Sequence, residues 1–462
     1  MSLIKSISGI RGTIGGIPGD ALTPPDVVAF VSAYSAWITD GKSEKKCSVV
    51  VGRDARTSGP VIEQLVTATL SSMGIDVINL GMASTPTVEL AVTGMNADGG
   101  IILTASHNPA NWNALKLLNS KGEFISDAEG RRIVDYAEKG VFSYSEHFNL
   151  GKITFHKGYN DEHIKLILDL PLVNTEAIKK AGFRVAVDAV NSVGGIIIPK
   201  LLKSLGVKEV YEMNCTPDGH FTHNPEPLPE NLSDICRLVK VKNADLGFVV
   251  DPDVDRLAII NEDGSFFGEE YTLVAISDYV LSKTPGNTAS NLSSTRALKD
   301  VTIKYGMEYF ASPVGEVNVV EAMKRNNCII GGEGNGGIIY PELHYGRDAL
   351  VGIALFLSHL AEKKLKTSEL RQTYPDYIMI KEKILIVKEI SINDIITKLK
   401  ENFREFSLND SDGLKIDFQK GWVHLRKSNT EPIIRLYAEG EDLITAKSYT
   451  DEIKKIIIRY FE

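Results

Sequence analysis

Hydrophobic and polar positions follow two rhythms along this chain. The stretch "CSVVVGRDART" is a short apolar run that ends in a polar turn, the pattern of a buried strand. In "GPVIEQLVTATLSSMG" the apolar residues recur at helical spacing and stop at Gly74. "FRVAVDAVNSVGG" and "ADLGFVVDPDVDR" repeat the first theme: apolar strand, aspartate, loop. They recur at intervals of roughly 60 to 140 residues, too long for a solenoid repeat. Alternation of this kind predicts α/β domains in tandem. The pattern weakens near 149–160, near Arg256 and near 366–377. After Tyr377 it changes to strand, helix, three short strands and a final helix. The pattern therefore gives a fold class of α/β, with two or three similar α/β domains in tandem followed by an α+β tail domain.

Length supports that division, since 462 residues suffice for roughly three to four domains of about 100–200 residues each. The composition is that of a globular protein, 43% hydrophobic and 24% charged. A net charge of −9 argues against broad nucleic-acid binding but leaves a small anionic substrate open, because local fields decide that. Cys47, Cys215, Cys236 and Cys328 are scattered without a C-x-x-C pair, which fits a reducing compartment and argues against zinc or a disulfide frame. The start, "MSLIKSISGIRGT", has no signal-peptide apolar region, and no run of 18 apolar residues exists. A cytoplasmic protein without a membrane span is expected.

Four loops carry candidate chemistry. In "GGIILTASHNPANWNALKLL" an apolar strand gives way to Ser106 and His107, with Lys116 ten residues after the serine. Pro109 blocks continuation of a ladder, so the turn can present Ser106 at the strand end, where α/β folds bind ligands. The alternative is a turn in which the serine bonds local backbone. No G-x-S-x-G elbow marks a hydrolase. In "GFVVDPDVDRLAII", Asp251, Asp253 and Asp255 alternate, and an extended chain would put them on one side. Clustered carboxylates need a cation, and hard oxygen ligands suit Mg²⁺. The spacing imitates an EF-hand as far as Glu262, but Arg256 replaces the turn glycine, Pro252 lies inside and the flanks are strands, which rejects calcium. A solvated acidic turn is the alternative. In "IIGGEGNGGIIYPEL", glycines would let backbone approach a ligand, while Glu333 and Asn335 suit sugar hydroxyls; a plain hairpin reads equally well. In "WVHLRKSNTEPIIRLYAEG", Arg426, Ser428, Asn429 and Thr430 group a fork cation, hydroxyls and an amide, as a phosphate site would; a polar hairpin turn is the alternative.

Taken in order, the motifs S-G-I-R-G-T, T-A-S-H-N-P, D-P-D-V-D-R, G-E-G-N-G-G and R-K-S-N-T-E-P resemble those of the α-D-phosphohexomutase superfamily over essentially the whole chain. The resemblance implies four domains around a central cleft, three related α/β units at 1–150, 151–255 and 256–370 and a smaller α+β domain at 371–462, and interconversion of hexose 1-phosphates and 6-phosphates. It implies Ser106 as phosphoryl carrier, with Asp251, Asp253, Asp255 and that phosphate holding Mg²⁺. Arg11, His107, Lys116 and Arg256 match other active-site positions. Glu333 would grip sugar hydroxyls, and Arg426, Ser428, Asn429 and Thr430 the phosphate that is not reacting. Glucose or glucosamine 1,6-bisphosphate would serve as intermediate or activator. Lys116 is a candidate acid–base if neighbouring cations lower its pKa, and His107 competes for that role. The partner implied is a small sugar phosphate, with neither nucleic acid nor membrane, and the protein would be a monomer or homodimer.

Two departures bear on the sugar. Many bacterial members read G-E-x-S-G-H where this chain has Asn335 and Gly337, and Glu316 stands where several carry histidine. Both variants resemble archaeal-type phosphoglucosamine mutases, and an acid at 316 would suit a 2-ammonium group. Glucosamine phosphate is the expected substrate, with glucose and mannose phosphates as alternatives. Two rival classes are a haloacid-dehalogenase-type phosphotransferase with Asp251 as nucleophile and a non-enzymatic phosphosugar-binding regulator. The first leaves Ser106 and the Arg426 loop unexplained.

Overall fold

The computed structural model describes residues 2–6, 9–41, 46–385, 391–427 and 433–461. It divides into two compact units, Met1–Thr272 with Asn335–Leu370, and Leu273–Gly334 with Arg371–Glu462.

The first unit holds two sheets. Within the seven-stranded one, strand Ser48–Arg53 lies between parallel neighbours Asp76–Met82 and Gly99–Leu103. Val49 and Val51 pack into one core with Phe30, Ile62 and Val66, while Val50 packs into another with Val88 and Ala91. Burial on both faces is why this strand reads as an unbroken apolar run. Helix Gly59–Ser72 begins with a proline in its first turn and stops just before Gly74, whose φ of +80° suits glycine. Strand Trp112–Leu118 returns antiparallel beside Gly99–Leu103 and pairs on its other side with Gly9–Thr13. The second sheet repeats the plan. Glu209–Met213, Arg184–Asp188 and Leu246–Val250 are parallel, and Leu257–Asn261 returns antiparallel beside the last. The Ser106 loop and the Asp251 loop thus occupy equivalent places: each joins a buried parallel strand to its antiparallel return.

In the second unit, parallel strands Tyr309–Ser312, Asn287–Asn291 and Cys328–Glu333 lie side by side. The tail forms an antiparallel five-stranded sheet ordered Ile378–Leu385, Ile433–Gly440, Gly421–Lys427, Leu414–Phe418, Ser407–Asn409. Helices Ile392–Asn402 and Leu443–Phe461 contribute Ile395, Leu399 and Ile453 to its core. Four strands lie between these helices where the sequence pattern predicts three. The additional one, Ser407–Asn409, has no buried residue and so leaves no apolar mark. Among the described residues no helix is long and apolar enough to cross a membrane.

Candidate active site

Strand Gly99–Leu103 is buried throughout, and the chain leaves it into a tightly held loop. Ser106 takes φ of +48°, a left-handed conformation that side chains disfavour. Arg56, fully buried, fixes it. One guanidinium nitrogen, Nη2, donates to the carbonyls of Ser106 and Asn108 at 2.6 and 2.7 Å. The other, Nη1, donates to those of Pro109 and Trp112 at 2.6 and 3.0 Å. Nε pairs with Asp54 at 3.0 Å. Thr104 Oγ1 donates to Asp54 and accepts from Ser106 N–H. Arg56 and Asp54 escaped sequence reasoning. Their signal was the polar "GRDART" that ends strand Ser48–Arg53 and runs into the turn beyond it, because a buried loop rich in carbonyls requires a fork of donors.

Ser106 Oγ donates to Asp251 Oδ2 at 2.6 Å. Asp251, Asp253 and Asp255 are all buried and bring their ligand oxygens within 4.8 Å of one another. They do not converge along extended chain, as expected from their alternation, but through a turn. Val254 has φ of +64°, its N–H bonds the Asp251 carbonyl, and Asp251 Oδ1 accepts from the N–H groups of Asp255 and Arg256. Extended chain would separate alternate residues by about 6–7 Å; the turn gathers them instead. Glu262 takes no part, accepting from Ser368 N–H and Oγ. Thr85 Oγ1 donates to Asp253 Oδ2 and its N–H to the Asp253 carbonyl. Ser192 Oγ donates to the Pro252 carbonyl and accepts from Ala55 N–H, linking the aspartate loop to the Arg56 segment.

Cations surround the carboxylates. Lys116 Nζ lies 2.6 Å from Asp253 Oδ2 and 3.4 Å from Asp255 Oδ2, and Arg347 Nη2 lies 2.7 Å from Asp255 Oδ2. Arg347 was also missed; "YGRDAL" repeats the G-R-D at the end of strand Ser48–Arg53. Asp348 beside it is buried and bonded by His163 and His344, which anchors that segment. Burial, then the charges of Arg256 and Arg11, push His107 well below its ordinary value, and its Nδ1 stands 3.4 Å from Ser106 Oγ. Arg256 also pairs with Glu226 at 3.2 Å. Lys116 departs from expectation. Burial lowers its pKa, but Asp253 and Asp255 outweigh burial and hold it above the ordinary lysine value.

The three carboxylates fit a hard cation. Burial and the charges of Asp255 and Asp253 push Asp251 well above the usual carboxylate range, whereas Lys116 outweighs burial at Asp253 and holds it below that range, so Asp251 is the acid whose charge needs a further cation. One oxygen each of Asp253 and Asp255, Oδ1, is buried without a hydrogen-bond partner among the described residues. Uncompensated buried carboxylate oxygens are costly, and a divalent ion would satisfy both.

The remaining predicted residues divide between the units. Asn335 belongs to the first, where its Oδ1 accepts from Gly337 N–H and closes a turn. Two glycines of this loop serve protein packing rather than a ligand. A Cβ on Gly336 would meet the Leu257 carbonyl at 2.2 Å, and one on Gly337 the Arg347 side chain at 2.4 Å. In the second unit, buried Glu333 accepts from Asn291 Nδ2 and Gly315 N–H. Glu316 opens helix Glu316–Arg325, and Arg426 lies on strand Gly421–Lys427 with its Nε buried and without a partner among the described residues. Ser428, Asn429 and Thr430 lie outside the described residues.

Family models for phosphoglucomutase/phosphomannomutase match the whole architecture: α/β/α domain I at residues 4–143, domain II at 161–264, domain III at 268–377 and the C-terminal domain at 382–456. A phosphoglucomutase/phosphomannomutase of Thermococcus kodakarensis is 34% identical over 95% of this chain and 96% of its own. A phosphoglucosamine/phosphogalactosamine mutase of Sulfurisphaera tokodaii is 32% identical over 99% of both. The crystal structure of a phosphoglucomutase/phosphomannomutase family protein from Burkholderia thailandensis superposes with a TM-score of 0.86 at 26% identity, covering 98% of this chain and 96% of that one. The resemblance carried by the five motifs is borne out, as is the plan of three α/β domains and a smaller C-terminal one: the chain belongs to the phosphoglucomutase/phosphomannomutase family of phosphohexomutase isomerases.

Proposed function

We propose that this protein interconverts hexose 1-phosphates and 6-phosphates with Ser106 as phosphoryl carrier, and that its preferred sugar is glucosamine. One observation carries the reading. Ser106 Oγ lies 2.6 Å from Asp251 Oδ2, on a loop whose other two carboxylates each keep a buried oxygen without a partner among the described residues. Magnesium held by Asp251, Asp253, Asp255 and a phosphate oxygen on Ser106 would neutralise charge and polarise the phosphoryl group. The chain's own residues do the rest. Arg56 and Thr104 hold the serine at the loop crest. Arg11, Lys116, Arg256 and Arg347 offset the two phosphates of the reacting complex. His107, 3.4 Å from Oγ, is within reach of the sugar hydroxyl proton. As that oxygen bonds to phosphorus its proton passes to His107, the bond from phosphorus to Ser106 Oγ breaks, and His107 returns the proton to the serine oxygen. The resulting 1,6-bisphosphate turns end for end and returns its other phosphoryl group to Ser106. Glu333 takes sugar hydroxyls, and Arg426 with Ser428, Asn429 and Thr430 takes the phosphate that is not reacting.

Glu316 supports the amino sugar, since a carboxylate pairs with a 2-ammonium group, and the Sulfurisphaera relative is named for amino sugars. The Thermococcus relative, named for glucose and mannose phosphates, supports a second reading. A coupled assay comparing glucosamine, glucose and mannose phosphates decides between them, with peptide mapping of Ser106 in the same preparations. Phosphate mapped to another residue, or turnover without Ser106, would overturn the mechanism.

A further inference from the structure

A closed ring of hydrogen bonds runs through the second unit. Glu333 Oε1 accepts from Asn291 Nδ2 at 2.9 Å and from Gly315 N–H at 3.1 Å. Asn291 Oδ1 accepts from Ser293 N–H at 2.9 Å. Ser293 Oγ stands 2.9 Å from His424 Nδ1, and His424 Nε2 stands 2.7 Å from the Asp412 carbonyl oxygen. Asp412 Oδ2 accepts from Val314 N–H at 3.0 Å, and Val314 precedes Gly315. A carbonyl oxygen only accepts, so Nε2 carries the proton and Nδ1 accepts from the Ser293 hydroxyl. Burial lowers the pKa of His424 to about 4, which keeps the imidazole neutral and this tautomer fixed.

The ring joins the segment leading into Glu316, the Glu333 carboxylate and the strand that carries Arg426 two residues beyond His424. Apart from the turn between Asn291 and Ser293, its hydrogen bonds join residues 12 or more positions apart. A buried histidine whose two nitrogens both bridge other segments binds nothing itself; it fixes distances.

We propose that Asn291, Ser293, Asp412 and His424 are positioning residues that make sugar recognition at Glu333 and Glu316 and phosphate recognition at Arg426 one preformed half-site. The inference rests on the phosphohexomutase reading above. Separate loops would each lose freedom on binding, whereas the ring removes that freedom beforehand. A substrate that must bind in two orientations gains doubly from a fixed spacing between the sugar and phosphate sites.

Steady-state kinetics with glucose 1-phosphate and glucosamine 6-phosphate test it. Asp412→Ala opens the ring at Val314, and Ser293→Ala opens it at His424 by removing a single hydroxyl. Each is expected to raise KM for both sugars, about tenfold for Asp412→Ala, with kcat changed less and the phosphorylated fraction of Ser106 unchanged. Asp412→Asn keeps an acceptor oxygen and should restore KM. Asp412→Ala combined with Arg426→Ala should cost less than the sum of the two. Unchanged KM in the folded Ser293→Ala variant, additive losses, or an Asn variant as poor as the Ala variant would overturn the proposal. Wild-type turnover tests the underlying reaction separately. Without turnover, calorimetric affinities of the same variants for glucose 1-phosphate read the ring directly, and equal affinities in variants and wild type would overturn it.

Discussion

Ser106 holds a backbone angle that its own side chain does nothing to favour. The φ of +48° is imposed by Arg56 and Thr104 from outside the residue, so strain and reactivity separate cleanly on substitution. Ser106→Ala should lose at least about 10³-fold in turnover, as removal of a covalent carrier requires. Ser106→Gly should be equally inactive yet more stable than the alanine variant by about 1 kcal/mol, because glycine accepts the angle. Steady-state assays and urea melts check both, and an alanine variant with ordinary turnover would refute the carrier role. The aspartates should behave as one group. Any single Asp→Asn change at 251, 253 or 255 should reduce Mg²⁺-dependent turnover, and double changes should add little; additive losses would mean no shared ion. His424 gives a pH prediction. Its folded pKa of about 4 lies below the ordinary 6.5, so the unfolded chain binds the extra proton between those values. Stability is therefore full above pH 6.5 and falls as pH drops toward 4, by about 3 kcal/mol in all from this residue. His424→Phe should flatten that part of the wild-type slope in denaturant titrations between pH 7 and 4.5.

At the scale of the element, what the sequence shows depends on burial. Strand Ser48–Arg53 and helix Gly59–Ser72 were legible because one is apolar on both faces and the other is periodic with a glycine stop. Strand Ser407–Asn409 was illegible because it has no buried residue. Candidate chemistry followed the same division. Residue types announced Ser106 and the three aspartates, but the turn at Val254 did not show, because a valine with positive φ is held by its surroundings and leaves no local signature. Nor did Arg56, whose partners are backbone carbonyls that every sequence possesses. That arginine yields the prediction proper to this scale. Arg56→Lys keeps the charge but offers one nitrogen where a planar fork served four carbonyls. It should cost about 2–4 kcal/mol in urea unfolding through the carbonyls left unmet, and it should lower kcat more than it raises KM, since the serine rather than the sugar site is disturbed. Equal effects on both parameters would place its influence elsewhere.

At the scale of the molecule, the tail packs into one compact unit with residues 273–334. Lys415 Nζ donates to the Leu292 carbonyl, Glu439 accepts from Arg296 N–H, and the Tyr377 hydroxyl donates to Asp300. Truncation after Thr373 should therefore do more than abolish turnover. It should lower the thermal midpoint of what remains by several degrees, because buried polar groups lose their partners; an unchanged midpoint would show the tail to be dispensable to that unit. The equivalent placement of the Ser106 and Asp251 loops has a consequence of its own. Two copies of one sheet plan hold Ser106 and the three aspartates, each rooted in a separate core. The gap between Oγ and carboxylate is then set by the seam where the two copies meet, at Thr85 with Asp253 and at Ser192 with Ala55 and Pro252. Substitution at that seam would act like a vernier, altering the distance between Ser106 and Asp251 while both chemical groups stay as they are.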